Sequence, residues 1–393
     1  MIRVLIVDDS ATVALLLEAM LVRQPGIAVI GRAGSGEEAL ELARRLRPDV
    51  ITMDLQMPGM DGIATIQRIM EAHPIPVVVV STAVDMPGAQ ATFRALEVGA
   101  VAVFGAPPTP GSPHAESLAR DLAELLRAMA GVKLVTRRPA SGLTMPAPLT
   151  PLTQPIGLET DPADLPRLLA VAASTGGPQA LTTVLRDLPA SFPLPILVVQ
   201  HISPGFVHGM VEWLDENIPL QARVARDGDL IRPGTVLVAP DDRHLLVEQF
   251  GTRLIVRLGQ GEPVSRHRPS ATPLFSSVAQ ALGRRAIGLV LTGMGSDGAA
   301  GLQELYRCGA LTLVQDPKTC VIDGMPQAAI EGRAVTEVVP LSHLARRLKS
   351  AAVTPVTSGV QSGLKNLDPV GFADTSGQDQ GRGLRTAQTG GET

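Results

Sequence analysis

Aromatic side chains are nearly missing from this chain: seven Phe, one Tyr and one Trp make up 2% of its 393 residues. Cores with so few rings have to be filled by Val, Leu, Ile and Ala, which suits parallel strands sandwiched between helices. Basic charge is in no excess, with 34 Lys and Arg against 38 Asp and Glu and a formal net charge of −4, and this argues against nucleic acid as a partner. The two cysteines, Cys308 and Cys320, show neither zinc nor redox spacing and read as reduced thiols. No apolar run is long enough to span a bilayer, so no membrane insertion is expected. The first residues enter a strand at once, leaving no room for a signal peptide, and the cytoplasm is the expected compartment.

What is present is an alternation of short apolar runs and helical patterns, over a length that exceeds one ordinary domain. Strand-like runs such as Met1–Val7, Asp49–Met53 and Pro76–Val80 alternate with helical patterns at Ser10 to Arg23, Glu37 to Leu46 and Glu116 to Ala130. A stretch dense in Pro, Thr and Gly over 133–164 reads as a linker, and the Gly-, Gln- and Ser-rich residues 351–393 read as a disordered tail. No internal repeat is seen. The fold class is α/β, with two doubly wound parallel sheets in domains 1–132 and 165–350. Gly234–Pro240, Leu245–Glu248 and Arg253–Arg257 read as antiparallel strands inserted in the second domain.

Ser174 carries the most information in that second domain. It ends the apolar run Leu169-Ala-Val-Ala-Ala and precedes Thr175-Gly176-Gly177 and a helix. A hydroxyl there is a nucleophile beside backbone N–H groups that can hold an oxyanion. Two further apolar runs end in His201 and, after Thr292-Gly-Met-Gly-Ser, in Asp297. Strand ends in an open parallel sheet converge on one edge, so Ser174, His201 and Asp297 form a candidate triad of nucleophile, base and orienter. Taken singly, a Ser before Gly-Gly is more often a helix cap, a strand-end His more often structural, and an Asp before Gly more often a turn residue. Their coincidence at three strand ends favours catalysis.

The first domain places different chemistry at its strand ends. Asp8 and Asp9 end the first apolar run, Asp54 ends another, and Ser81 ends a third. Three neighbouring carboxylates repel one another unless a hard cation sits among them, and Mg²⁺ with a phosphoryl oxygen suits such a site.

These motifs resemble a known family. Ala173-Ser-Thr-Gly-Gly-Pro178, Gln200-His-Ile-Ser-Pro-Gly-Phe206, Ala239-Pro-Asp-Asp-Arg-His244, Arg266-His-Arg-Pro-Ser270, Leu291-Thr-Gly-Met-Gly-Ser-Asp-Gly-Ala299 and Gln315-Asp-Pro317 with Gly324-Met-Pro326 resemble the catalytic domain of the CheB chemotaxis-receptor methylesterases over about Leu165 to Leu348. Met1 to about Val132 resembles a two-component receiver domain. The resemblance implies a flavodoxin-like receiver followed by a Rossmann-like hydrolase. It implies hydrolysis of glutamate γ-methyl esters on methylated chemoreceptor helices, often with deamidation of receptor glutamines, and a chemotaxis histidine kinase as phosphodonor. It makes Ser174 the nucleophile, His201 the base and Asp297 its orienter, with Thr175, Gly176 and Met294 beside the reaction centre. In the receiver it makes Asp54 the phosphoacceptor, Asp8 and Asp9 the Mg²⁺-side acids, and Ser81 the switch hydroxyl. The esterase itself is expected to need no metal.

Three positions depart from the pattern. Ala106 stands where receivers carry a Lys before Pro, which removes a charge-assisted contact worth about 1.5–3 kcal/mol. Val103 stands where an aromatic switch residue is common. Thr272 stands where an Asp is common, a change expected to bear on its own loop and not on the triad. The run Arg266-His267-Arg268 fits either acidic receptor helices or a loop anchored to local carboxylates, with His267 an alternative base second to His201. Two rival functions stay open: an adaptor whose glycine turn binds an anion, and a receiver-controlled DNA binder, disfavoured by charge and the lack of a helix-turn-helix.

Overall fold

Strand ends define both halves of the molecule. The computed structural model describes residues 1–81, 86–105, 115–132 and 165–354, with the backbone alone for 86–90. The expected linker, nearly all of the tail, and Ala106 lie outside the described residues.

The first half runs β1 (Ile2–Val7), α1 (Ala11–Val22), β2 (Ile27–Ala33), α2 (Gly36–Leu46), β3 (Val50–Met53), α3 (Gly62–Ala72), β4 (Val77–Ser81), α4 (Met86–Glu97), β5 (Ala102–Gly105) and α5 (Ala115–Ala130). Its sheet is parallel in the order β2-β1-β3-β4-β5. β3 and β4 are buried along their whole length, as expected of strands covered on both faces. Helix starts obey local chemistry: Ser10 Oγ accepts from Val13 N, Ser35 Oγ from Glu38 N, and Asp61 Oδ1 from Ala64 N. α2 also carries Glu37 and Glu38 in its first turn and Arg44 and Arg45 in its last, complementing the helix dipole.

The second half is longer: β6 (Leu168–Ala173), α6 (Gly177–Arg186), β7 (Ile196–Gln200), α7 (Val207–Asn217), β8 (Gln221–Val224), β9 (Thr235–Val238), β10 (His244–Phe250), β11 (Arg253–Gly259), α8 (Ala271–Leu282), β12 (Ala286–Val290), α9 (Ala299–Arg307), β13 (Leu311–Gln315), α10 (Gly324–Glu331), β14 (Glu337–Val339) and α11 (Leu341–Ala351). Seven strands form a parallel sheet in the order β14-β13-β12-β6-β7-β9-β8. The chain winds outward from β6 through β7 and later from β12 on the other side, so the winding reverses between β12 and β6. Crevices for ligands form at such a reversal.

One expectation is corrected here. Thr235–Val238 is not part of an antiparallel insertion; it pairs parallel with β7 and β8. Val236, Leu237 and Val238 are each 0% exposed, which requires cover on both faces and places them in the main sheet. Among the described residues the antiparallel ladder is the hairpin β10–β11, whose burial is one-sided, with a single bridge from Leu230 to Ile255 beside it.

The two halves touch through named side chains. Phe93 of α4 stacks on Trp213 of α7 with ring centroids 5.8 Å apart, and Trp213 Nε1 donates to Glu97 Oε1 at 2.8 Å. Gly105 N donates to Ser203 Oγ at 2.9 Å, and Gln179 Nε2 to Ala100 O at 3.3 Å. Val321 and Ile322 pack against the apolar cluster formed by β1, β4, β5 and α5.

Candidate active site and carboxylate cluster

Three adjacent strands, β12, β6 and β7, deliver the three candidate catalytic residues to one edge. Ala173 pairs with Gln200, His201 N donates to Ala173 O at 2.9 Å, and Ser174 N donates to Thr292 O at 3.0 Å. Ser174 therefore sits between the chain segments that carry His201 and Asp297. Buried Gln200 ties the first two together, its Nε2 donating to Ser174 O at 2.7 Å and to His201 O at 2.8 Å.

The turn after Ser174 is set by Gly176, whose φ of +76° lies in the left-handed region and starts α6 without a side-chain cap. A Cβ there would also stand 2.6 Å from Val321 Cγ2. Among the described residues, the backbone N–H groups of Thr175, Gly176 and Met294 donate to no protein acceptor. Uncommitted donors beside a strand-end hydroxyl are what an oxyanion requires.

His201 Nε2 lies 2.9 Å from Asp297 Oδ2. Asp297 is 1% exposed, and its other partners are Ser270 Oγ at 2.6 Å, Ala271 N at 2.7 Å, Thr272 Oγ1 at 3.0 Å and Thr272 N at 3.4 Å, all donating to it. Burial by itself pushes this carboxyl up, but the His201 bond, the Ser270 hydroxyl and the Ala271 N–H outweigh burial and hold it far below the usual carboxylate range. With Asp297 ionised and Nε2 committed to it, the ring carries its proton there, and Nδ1 is the atom left to accept one. That Nδ1 is buried and without a hydrogen bond. The Ser174 hydroxyl is not bonded to it; among the described residues it has no hydrogen bond at all. Catalytic contacts of this kind commonly tighten only when substrate is bound.

The Arg266–Arg268 run divides its roles. Arg268 is anchored locally, Nε donating to Asp242 Oδ1 at 2.7 Å and Nη1 to Gly261 O at 3.0 Å. Arg266 points instead to Glu124 of α5 at 3.9 Å, an exposed pair of little energetic weight. Between them His267 lies flat on His201, centroids 3.9 Å apart and planes 7° apart. Burial, then the neighbouring His201 and Arg266, lower the His267 pKa to about 4, so it stays neutral at ordinary pH. Thr272 corrects another expectation: it does reach the candidate triad, donating to Asp297 Oδ1.

Sequence reasoning missed Ser270 and Thr272 as partners of Asp297, since nothing in their spacing predicts that the start of α8 reaches the loop after β12. It missed His244 as well. This buried ring accepts from Ser270 N at 3.2 Å through Nδ1 and reaches Glu262 O at 3.0 Å through Nε2, fixing the backbone that holds Asp297.

At the edge of the first sheet, Asp8, Asp9 and Asp54 can bring one oxygen each within 4.8 Å of the others. Burial pushes Asp8 up to about 6 against the opposing Ser10 N–H, and Asp54 and Asp9 add to the rise. Burial likewise raises Asp54, against donors from Gln56 and Leu55, with Asp9 adding to the rise. α3 begins hard against Asp54: a Cβ on Gly62 would stand 2.3 Å from Asp54 O. Ser81 is buried at the end of neighbouring β4. An all-oxygen set whose members raise one another's pKa fits a hard divalent cation such as Mg²⁺. Asp8, Asp9 and Asp54 are the residues that would hold it, and it would supply positive charge for a phosphoryl group at that edge.

Residues 169–348 match the CheB methylesterase family, and residues 4–105 match the response regulator receiver domain. A protein-glutamate methylesterase/protein-glutamine glutaminase of Geobacter metallireducens is 44% identical over 353 residues, covering 90% of this chain and 99% of that one. The chain belongs to the CheB methylesterase family. A relative of the same description from Myxococcus xanthus is 45% identical over 350 residues, covering 89% of this chain and 97% of its own. A crystal structure of the Thermotoga maritima CheB methylesterase catalytic domain is 32% identical, covers 47% of this chain and 98% of that one, and gives a TM-score of 0.46. This CheB-type chain is thus a hydrolase joined to a receiver domain. Among the described residues, no helix is long and apolar enough to cross a membrane.

Proposed function

We propose that this chain hydrolyses γ-methyl esters of glutamate side chains on chemoreceptor helices, releasing methanol, and that it deamidates receptor glutamines at the same site. The observation that carries the reading is the buried Asp297 bonded to His201 at 2.9 Å beside Ser174. Ser174 Oγ attacks the ester carbonyl while His201 Nδ1 takes its proton. Donors from Thr175, Gly176 and Met294 hold the oxyanion, and Asp297 stabilises the imidazolium. The proton then passes to the leaving methoxide, giving methanol and an ester between the receptor's glutamyl side chain and Ser174, which water hydrolyses by the same steps to the receptor's glutamate carboxylate and the Ser174 hydroxyl. A glutamine would take the same route, losing ammonia.

The domain division proposed is a receiver over 1–132, a linker over 133–164, the esterase over 165–350 and a tail over 351–393, acting in the cytoplasm. The receiver gates the esterase by occupying its edge. Ser203, two residues after His201, accepts from Gly105 N; Gln179, in the first turn after Ser174, bonds Ala100 O; and the Arg266 loop faces α5. A chemotaxis histidine kinase supplies phosphate to Asp54, with Mg²⁺ held by Asp8, Asp9 and Asp54. Ala106 in place of the usual Lys makes this a weak switch, since a modification shifts an equilibrium only through contacts that differ between states.

The test is methanol release from a methylated receptor fragment by the full chain and by Ser174→Ala. Release by the full chain that the substitution abolishes is expected. No release, with the fragment still bound, would assign the chain to the adaptor class instead.

A further inference from the structure

Asp297 is held by more than its partner histidine requires. Its Oδ1 receives the Ser270 hydroxyl at 2.6 Å and the Thr272 hydroxyl at 3.0 Å, while its Oδ2 receives His201 Nε2 at 2.9 Å and Ala271 N at 2.7 Å. Ser270 is 0% exposed and Asp297 1%. Water therefore has little part in holding this carboxylate, and its orientation is fixed by the first turn of α8. The Thr272 hydroxyl does a second task, accepting from Gly298 N at 3.0 Å, so it joins the side chain of Asp297 to the backbone immediately after it. Ser270 Oγ likewise accepts from Thr272 N at 3.2 Å, as the cap of α8. The two hydroxyls and the loop thus form a closed set in which each donor is itself positioned.

We infer that Ser270 and Thr272 are positioning residues for ester hydrolysis: a two-hydroxyl clamp at the start of α8 that holds the Asp297 carboxylate in the plane and charge state His201 needs. The inference rests on the reading of Asp297 as the orienter of His201. Neither hydroxyl touches substrate in this scheme; both act through Asp297. Their effect has a definite sign. A hydroxyl donating to Oδ1 draws negative charge away from the oxygen facing His201. Removing it leaves more charge at Oδ2, which favours the imidazolium and loosens the carboxylate. The ring of His201, on which His267 lies flat at 3.9 Å, is then less well aimed.

The test compares the full-length protein with Thr272→Val, Thr272→Ser, Ser270→Ala and Asp297→Asn, monitoring methanol release from a methylated receptor fragment between about pH 5 and 9. Expected for Thr272→Val is a fall in kcat of about tenfold with KM unchanged, and a shift of the acid limb of kcat/KM to higher pH. Thr272→Ser keeps the hydroxyl and restores both rate and pH profile. Ser270→Ala behaves as Thr272→Val does, with some thermal destabilisation from the lost cap. A Thr272→Val rate and profile like those of the natural protein would overturn the clamp. So would a fall in rate with an unmoved acid limb that Thr272→Ser fails to rescue, because that pattern belongs to a general loss of structure. If Asp297→Asn keeps its full rate, the triad reading itself fails, an outcome separate from both.

Discussion

The two sheet edges of this chain solve the burial of carboxylates in opposite ways. At the receiver edge, Asp8, Asp9 and Asp54 crowd together, and burial with mutual repulsion raises Asp8 to about 6 and lifts Asp54 as well. At the esterase edge the deeper carboxylate of Asp297 is held far below the usual range, because His201, the Ser270 hydroxyl and the Ala271 N–H outweigh burial. Parallel sheets and strand-end aspartates are common to both. Donors make the difference. One edge leaves its charge uncompensated, as a cation site would; the other surrounds its charge with donors from the chain itself.

Breaking the esterase edge has the largest expected effect. Ser174→Ala lowers methanol release by at least about a thousandfold without altering the circular dichroism of the folded chain, since triad members contribute several orders of magnitude. Asp297→Asn comes next at about 10³-fold, because an amide cannot offset the imidazolium and can select the wrong tautomer. Removing residues 1–161 tests whether one edge covers the other. The freed esterase is expected to gain about tenfold in kcat/KM, within the usual range of coupling between sites, and an unchanged or lower rate counts against steric gating.

Smaller effects sharpen the receiver side. Mg²⁺ at about ten times its Kd stabilises the native chain by about 1.4 kcal/mol, a melting shift of a few degrees. Asp54→Asn or Asp8→Asn should remove most of that shift. The same shift shrinks as pH falls through about 6, where Asp8 takes up a proton that the cation must displace. Smallest is the response to acetyl phosphate with Mg²⁺. It should be slight in the natural protein and larger in Ala106→Lys. Strong activation of the natural protein, abolished by Asp54→Asn, would mean that another residue supplies the missing charge.

Much of this was legible in the sequence because parallel strands announce themselves. Buried runs such as Leu168–Ala173 and Ala286–Val290 are apolar throughout, and the residues just beyond each run must lie at the sheet edge. Ser174, His201 and Asp297 could therefore be grouped from the residue order alone, as could Asp8, Asp54 and Ser81. Strand neighbours without a diagnostic pattern were harder. Thr235–Val238 has the same composition whether it pairs parallel or antiparallel, and only its burial on both faces decides. Contacts made by the start of α8 were not legible either. Ser270 and Thr272 lie 27 and 25 positions from Asp297 along the chain and look like an ordinary helix cap. His267 gives no sign in its sequence of lying flat on His201.

The central claim, that Ser174 attacks with His201 and Asp297 behind it, is tested most directly by quenching the reaction with methylated receptor fragment in acid during its first turnovers. Mass spectrometry of the peptide containing Ser174 is predicted to show a glutamyl adduct that forms as methanol is released and decays as glutamate appears, and that is absent from Ser174→Ala. Methanol release at full rate with no adduct on that peptide, or an unaltered rate in Ser174→Ala, would contradict the account.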